Sequence, residues 1–189
     1  MTLSPQLLRR RAVFLDRDGT LNVEKQYLFR VEDWEWIPGA VEALRMLTDL
    51  GFTLVVVTNQ AGIARGYYSD VDVQRLHDFV ADDLASQGLS IAAFYHCPHH
   101  PEFGEVRQCA CRKPGAGMLL SAAADLDIDL SQSWMIGDKL IDVEAGRKAS
   151  TKTILVRTGY GKNVETQADD TVVVDDILAA ARYLRNREL

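Results

Sequence analysis

Short, uniformly apolar runs alternate along the chain with longer stretches whose apolar residues recur every three or four positions. Ala12-Val13-Phe14-Leu15, Thr53-Leu54-Val55-Val56-Val57, Ile91 to Tyr95, Ser133-Trp134-Met135-Ile136 and Thr153 to Arg157 read as strands, with Val172 to Val174 a short sixth. Their lack of polar alternation fits strands covered on both faces. Val41, Leu44, Leu47 and Leu50 predict a helix opened by Pro38-Gly39 and closed by Gly51. Val73, Leu76, Val80 and Leu84 predict another from Ser69 to about Gln87, with His77 packed beside that apolar seam rather than acting as a ligand. Helices at 117–126, 140–148 and 177–184 complete the alternation, which predicts an α/β fold with a doubly wound parallel sheet. Leu21 to Ile37 has no helical period and predicts a hairpin or flap, with Trp34 and Trp36 closing one side of the core.

The polar residues that interrupt this pattern gather at strand ends. The first run ends in Asp16-Arg17-Asp18-Gly19, the second in Thr58-Asn59-Gln60, the fourth in Gly137-Asp138-Lys139 with Asp142 beyond. In a parallel sheet these ends share one edge, with neighbouring strands about 4.8 Å apart. In an extended segment Asp16 and Asp18 would point one way and Arg17 another. Two such carboxylates suit a divalent cation, although a solvated Asp-Arg-Asp-Gly turn has the same sequence. Carboxylates, a hydroxyl with amides, and lysines on one edge suit Mg²⁺-dependent phosphoryl transfer.

A second cluster lies between the third strand and the next helix. Cys97, His99, Cys109 and Cys111 form the pattern C-x-H-x₉-C-x-C, the spacing of a closed structural Zn²⁺ site, with His96 and His100 as rival ligands to His99. Such a metal would fold a long loop and hold Arg112-Lys113 rigidly at the start of the following helix, placed for an anion.

Composition narrows the partners. The chain has 189 residues, 47% hydrophobic and 25% charged, which predicts one domain over 1–189. A net charge of −6 argues against nucleic acid, and Arg9-Arg10-Arg11 reads as a solvated lead-in. No stretch is long and apolar enough to span a bilayer, and the basic N-terminus lacks the features of a signal peptide. Three cysteines suit a reducing cytoplasm.

DRDGT at 16–20, the strand-end Thr58, Lys113 and GDKxxD at 137–142 together resemble the four motifs of the haloacid dehalogenase superfamily of phosphatases. That resemblance implies a Rossmann-like fold and a role for each position. Asp16 would be the nucleophile and Asp18 the general acid and base. Thr58 and Lys113 would stabilise the phosphoryl group. Asp16, the backbone carbonyl of Asp18, and Asp138 would hold Mg²⁺, with Asp142 orienting Lys113 or a metal-bound water. Arg112 and Lys139 would recognise a second phosphate or the sugar, alongside Glu24, Tyr27, Asn59 and Gln60.

The gaps between motifs leave no room for an inserted cap domain, so selectivity would fall to the flap, the zinc loop and Arg112. FLDRDGTLN, VVTNQAGIARG, CPHHP…CACRKP and MIGDKLIDVEAG narrow the resemblance to the zinc-loop branch of the superfamily. This implies a cytoplasmic, monomeric hydrolase of a small sugar phosphate. The implied reaction is removal of the C7 phosphate of heptose 1,7-bisphosphate for lipopolysaccharide synthesis. Histidinol phosphate is the alternative substrate, and a non-catalytic zinc-stabilised interaction domain the alternative of another kind.

Overall fold

The computed structural model describes residues 9–188; the signal-peptide expectation for the N-terminus falls largely on residues outside that range. In chain order the elements are β1 (Ala12–Leu15), α1 (Ala40–Asp49), β2 (Thr53–Asn59), α2 (Asp70–Ser86), β3 (Ala93–Cys97), α3 (Gly117–Leu126), β4 (Trp134–Gly137), α4 (Leu140–Lys148), β5 (Lys152–Val156), α5 (Gly161–Val164), β6 (Val172–Val174) and α6 (Ile177–Glu188). The six strands form one sheet in the order β3-β2-β1-β4-β5-β6. Every pairing is parallel. From β1 the chain winds outward through β2 and β3, then returns to β4 on the other side. The crevice between β1 and β4 is therefore the topological switch point, where open α/β sheets bind their ligands.

Alternation along the strands explains the two layers. Val13, Leu15, Leu54, Val56, Ile136 and Ile154 face one way and pack with Leu44 and Leu47 of α1, Val80 and Leu84 of α2, and Ala181 and Leu184 of α6. Ala12, Phe14, Val55, Val57 and Met135 face the other way, onto Met118, Leu119 and Ala122 of α3 and Ala145 of α4. Each large side chain so buried contributes about 1.5–3 kcal/mol. Burial on both faces is thus what the unbroken apolar runs encode. α2 begins at Ser69, whose hydroxyl accepts from the Asp72 N–H while the Asp72 carboxylate accepts from Ser69, a reciprocal capping box.

Three expectations shift. β1 stops at Leu15 and the backbone turns before the aspartates, so Arg17 does not simply point away from them; its guanidinium folds back onto Asp18. β3 runs two residues further than the apolar run, because pairing with β2 continues to Asn59 opposite Cys97. The 21–37 stretch is an irregular arm rather than a hairpin, pinned by single bridges between Asp18 and Asn22 and between Asn22 and Trp36. Trp34 and Trp36 meet edge to face at 5.0 Å and pack against the core, as the alternation of the stretch predicts. At the N-terminal end of the described chain, Arg11 pairs with Glu188 at 2.6 Å and lies over the Phe52 ring.

Candidate active site

A cavity of about 410 Å³ opens at the carboxyl edge of the sheet. Asp16 and Asp18 line it from the turn after β1, Thr58, Asn59 and Gln60 from the end of β2, Lys113 from before α3, and Lys139 from the end of β4. Glu24, Gln26 and Tyr27 overhang it from the arm. Tyr68, Ile141 and Tyr160 complete the wall and carry no motif that sequence reasoning would single out. Only Thr158-Gly159-Tyr160, a glycine turn closing off β5, could have hinted at the last of them.

Lys113 is the centre of charge. Its ammonium is 2.8 Å from Asp16 Oδ1, 2.8 Å from the Val57 carbonyl and 2.7 Å from Asp142 Oδ1. Those acceptors use the full donor capacity of an ammonium. Burial works against the charge, yet the Asp142 and Asp16 carboxylates outweigh it and hold Lys113 above the ordinary lysine value. Asp16 is likewise buried, and the positive charges of Lys113 and Lys139 overcome that burial and keep it below the usual carboxylate value. Asp16 is thus an anion with Oδ1 fixed, leaving Oδ2 toward the cavity chemistry. Asp142 accepts the Lys139 N–H on its other oxygen, so it orients Lys113 from the first turn of α4.

Asp138 has a different environment. It is fully buried, and Oδ2 accepts the Tyr160 N–H at 2.8 Å. Oδ1 has no hydrogen-bond donor, the nearest cation being Lys139 Nζ at 3.4 Å. Burial, reinforced by the negative charge of Asp16, pushes its pKa up to about 8. Gly19 and Gly159, both at positive φ, bring two backbone segments onto this carboxylate; a Cβ at either would collide with Oδ2. Asp16, Asp138 and Asp142 each offer an oxygen within 4.8 Å of the others. An orphaned buried carboxylate oxygen beside a second carboxylate fits a divalent cation with oxygen ligands. The Asp18 carboxylate is not part of that group; Arg17, Asn22 and Gln60 hold it.

Several predicted contact residues are engaged within the protein. Asn59 both donates to the Lys113 carbonyl and accepts from the Lys113 N–H, each at 3.0 Å, and so pins the backbone that carries the lysine. Gln60 donates to Asp18 at 2.9 Å and Thr58 at 2.8 Å, while its oxygen accepts from Tyr68. Arg112 donates to the His99 carbonyl at 2.9 Å and does not line the cavity. Lys139 lies 3.3 Å from Glu24 and 4.9 Å from the Tyr160 ring centre, with its ammonium facing the cavity wall.

The second cluster is compact and has no comparable cavity beside it. Cys97 Sγ is 3.7 Å from Cys109 Sγ and 3.2 Å from Cys111 Sγ, and His99 Nδ1 is 3.4 Å from Cys111 Sγ. A tetrahedral ion bound through sulfur would separate its thiolates by about 3.8 Å. The cysteines are free, and the four side chains fit such an ion. His96 is paired with Asp70 at 2.9 Å and His100 faces Arg65 at 3.3 Å, so the rivals to His99 have other partners.

Comparison with known proteins agrees with this geometry. The HAD-hydrolase-like family model matches residues 110–180. A D-glycero-beta-D-manno-heptose-1,7-bisphosphate 7-phosphatase of Haemophilus ducreyi is 44% identical over 179 residues, covering 93% of this chain and 98% of that protein. The protein of the same name from Pasteurella multocida is 47% identical over 179 residues, covering 93% and 97%. The crystal structure of a D,D-heptose 1,7-bisphosphate phosphatase from B. bronchiseptica, complexed with magnesium and phosphate, superposes with a TM-score of 0.85 at 34% identity, covering 94% of this chain and 99% of that one. Among the described residues no helix is long and apolar enough to cross a membrane.

Proposed function

The chain belongs to the haloacid dehalogenase-like hydrolases, in the family of heptose-bisphosphate phosphatases, and from that membership we propose that it removes the C7 phosphate of D-glycero-β-D-manno-heptose 1,7-bisphosphate. It is a phosphoric monoester hydrolase acting on a small sugar phosphate. The relatives' names specify the β anomer at C1, a preference we extend to this chain. The observation that carries the reading is Lys113, buried between Asp16 and Asp142 with Asp16 held as an anion at the cavity floor.

In the first step Asp16 Oδ2 attacks phosphorus, a P–O bond forms to Asp16, and the bond to the C7 oxygen breaks. Asp18 gives that oxygen its proton. In the second step Asp18 takes a proton from water as the water attacks the aspartyl phosphate, releasing inorganic phosphate and restoring Asp16. Thr58 donates to a phosphoryl oxygen, and Lys113 offsets the charge that develops there. Asp16, the Asp18 carbonyl and Asp138 would hold Mg²⁺, which when bound neutralises phosphoryl charge. Zn²⁺ on Cys97, His99, Cys109 and Cys111 would fix the loop that delivers Arg112 and Lys113. Glu24, Tyr27 and Lys139 face the sugar or its second phosphate.

We further take the protein to be a single-domain cytoplasmic monomer that contributes activated heptose to lipopolysaccharide. The test is relative turnover, with Mg²⁺, of the heptose bisphosphate in both anomers, sugar monophosphates and histidinol phosphate. Fastest turnover of the β bisphosphate supports the reading; fastest turnover of histidinol phosphate overturns it.

A further inference from the structure

The chemistry described so far leaves one buried imidazole unused. His77, on the inward face of α2, is 1% exposed and stacks on Phe94 with 4.7 Å between ring centres. Its Nε2 lies 3.4 Å from Arg17 Nη1. A guanidinium is always charged and only donates, so Nε2 is the acceptor and the imidazole proton sits on Nδ1. Arg17 is itself 1% exposed, and the rest of its fork is committed. Nε and Nη2 reach Asp18 Oδ1 at 3.2 and 3.1 Å, Nη2 reaches Asp18 Oδ2 at 2.9 Å, and Nη2 also donates to the Leu28 carbonyl of the arm at 2.8 Å.

The Asp18 carboxylate has only two other partners, Asn22 on Oδ1 at 3.0 Å and Gln60 on Oδ2 at 2.9 Å. Both are flexible amides that grip one oxygen each. Arg17 grips both oxygens through a rigid plane, and so sets the plane of the carboxylate. What fixes Arg17 in turn is the Leu28 carbonyl in front and His77 behind. An apolar residue at 77 would leave Nη1 buried without an acceptor, and the fork would rotate to find one.

We propose that Arg17, braced from behind by His77, positions Asp18 for proton transfer, and that His77 acts on the reaction only through Arg17. The proposal rests on Asp18 being the general acid and base. Proton donation to a departing alkoxide depends steeply on the placement of the donor, whereas phosphoryl transfer from a good leaving group does not need it. His77 and Arg17 are positioning residues in this account.

The experiment compares kcat/KM for the heptose bisphosphate, whose alkoxide must be protonated, with that for 4-nitrophenyl phosphate, whose phenolate leaves unaided. It uses the full-length magnesium- and zinc-loaded enzyme and the variants His77→Leu, His77→Gln and Asp18→Asn, with KM and kcat resolved separately. Asp18→Asn lowers the sugar reaction about a hundredfold or more and the aryl reaction much less. His77→Leu lowers the sugar reaction about tenfold through kcat, with the aryl reaction within about twofold. His77→Gln, whose amide oxygen can accept from Arg17, returns the sugar reaction to within about threefold of the parent. Should His77→Leu not fold, His77→Asn takes its place, its shorter amide falling short of Arg17. Equal losses on both substrates in the apolar or shortened variant, or no recovery in His77→Gln, overturn the proposal while the Asp18 reading stands. Equal losses in Asp18→Asn overturn that reading itself.

Discussion

Two clusters of metal-binding side chains lie at the same end of the sheet, and they are built on opposite plans. Asp16, Asp138 and Asp142 supply only oxygen, from the ends of β1 and β4 and the first turn of α4, beside an open cavity. Asp138 Oδ1 is left without a donor, so the group is incomplete as protein alone. Cys97, His99, Cys109 and Cys111 supply sulfur and nitrogen, span a loop without regular structure, and close on one another. The first arrangement leaves room for a substrate oxygen; the second leaves none. The difference teaches that the loop metal's task is mechanical: it anchors the chain immediately before Lys113, the residue that joins Asp16 to Asp142.

The comparison breaks most visibly at Asp16. Asp16→Asn keeps the shape but removes the nucleophile, and turnover of the sugar bisphosphate falls by at least about a thousandfold with the fold intact by circular dichroism. Asp142→Asn acts one step back. It withdraws a charge from the buried Lys113, so kcat falls about a hundredfold and the urea-derived stability drops by about 3 kcal/mol. Cys109→Ser touches only the loop cluster. Bound zinc, counted by mass spectrometry under native conditions, is lost, protease cleavage within 98–109 rises, and activity falls about tenfold rather than vanishing. A loss equal to that of Asp16→Asn with the loop still protected would mean that both clusters do chemistry.

The smallest effect probes the bridge between the regions. His77 contacts Arg17 on one side and lies 5.9 Å from the ring of His96, the neighbour of Cys97, on the other. Burial, with the charge of Arg17 adding to it, pushes the His77 pKa from its ordinary 6.5 down to about 3. The unfolded chain therefore binds this proton first as pH falls. The stability His77 confers is full above 6.5 and is lost progressively from 6.5 toward 3. His77→Gln, which does not titrate, loses less stability than the parent between pH 7 and pH 4 by urea unfolding. Identical slopes would show that the imidazole is not held neutral.

The fold was legible because it rests on local patterns. Unbroken apolar runs marked the strands, and helical spacing marked α1, α2 and α6. The site was legible wherever a residue sits at a strand end, since topology alone brings Asp16, Thr58 and Asp138 to one edge. What the sequence withheld are side-chain directions after the strands stop. Arg17 folds back onto Asp18 because β1 ends a residue before the aspartates. Asn59 and Gln60 face the Lys113 backbone and Asp18, which are remote in sequence, instead of a ligand. Tyr160 reaches Asp138 only because Gly159 permits a close approach. No periodicity encodes such long-range pairings.

The division of labour between the clusters is tested most directly by acid-quenching the enzyme during turnover of the bisphosphate and locating phosphate by peptide mass. The account predicts a phosphoryl group on Asp16 in the parent, and also in Cys109→Ser at reduced occupancy. Phosphate on His99 or on another loop residue, or none on Asp16 at any quench time, would contradict it.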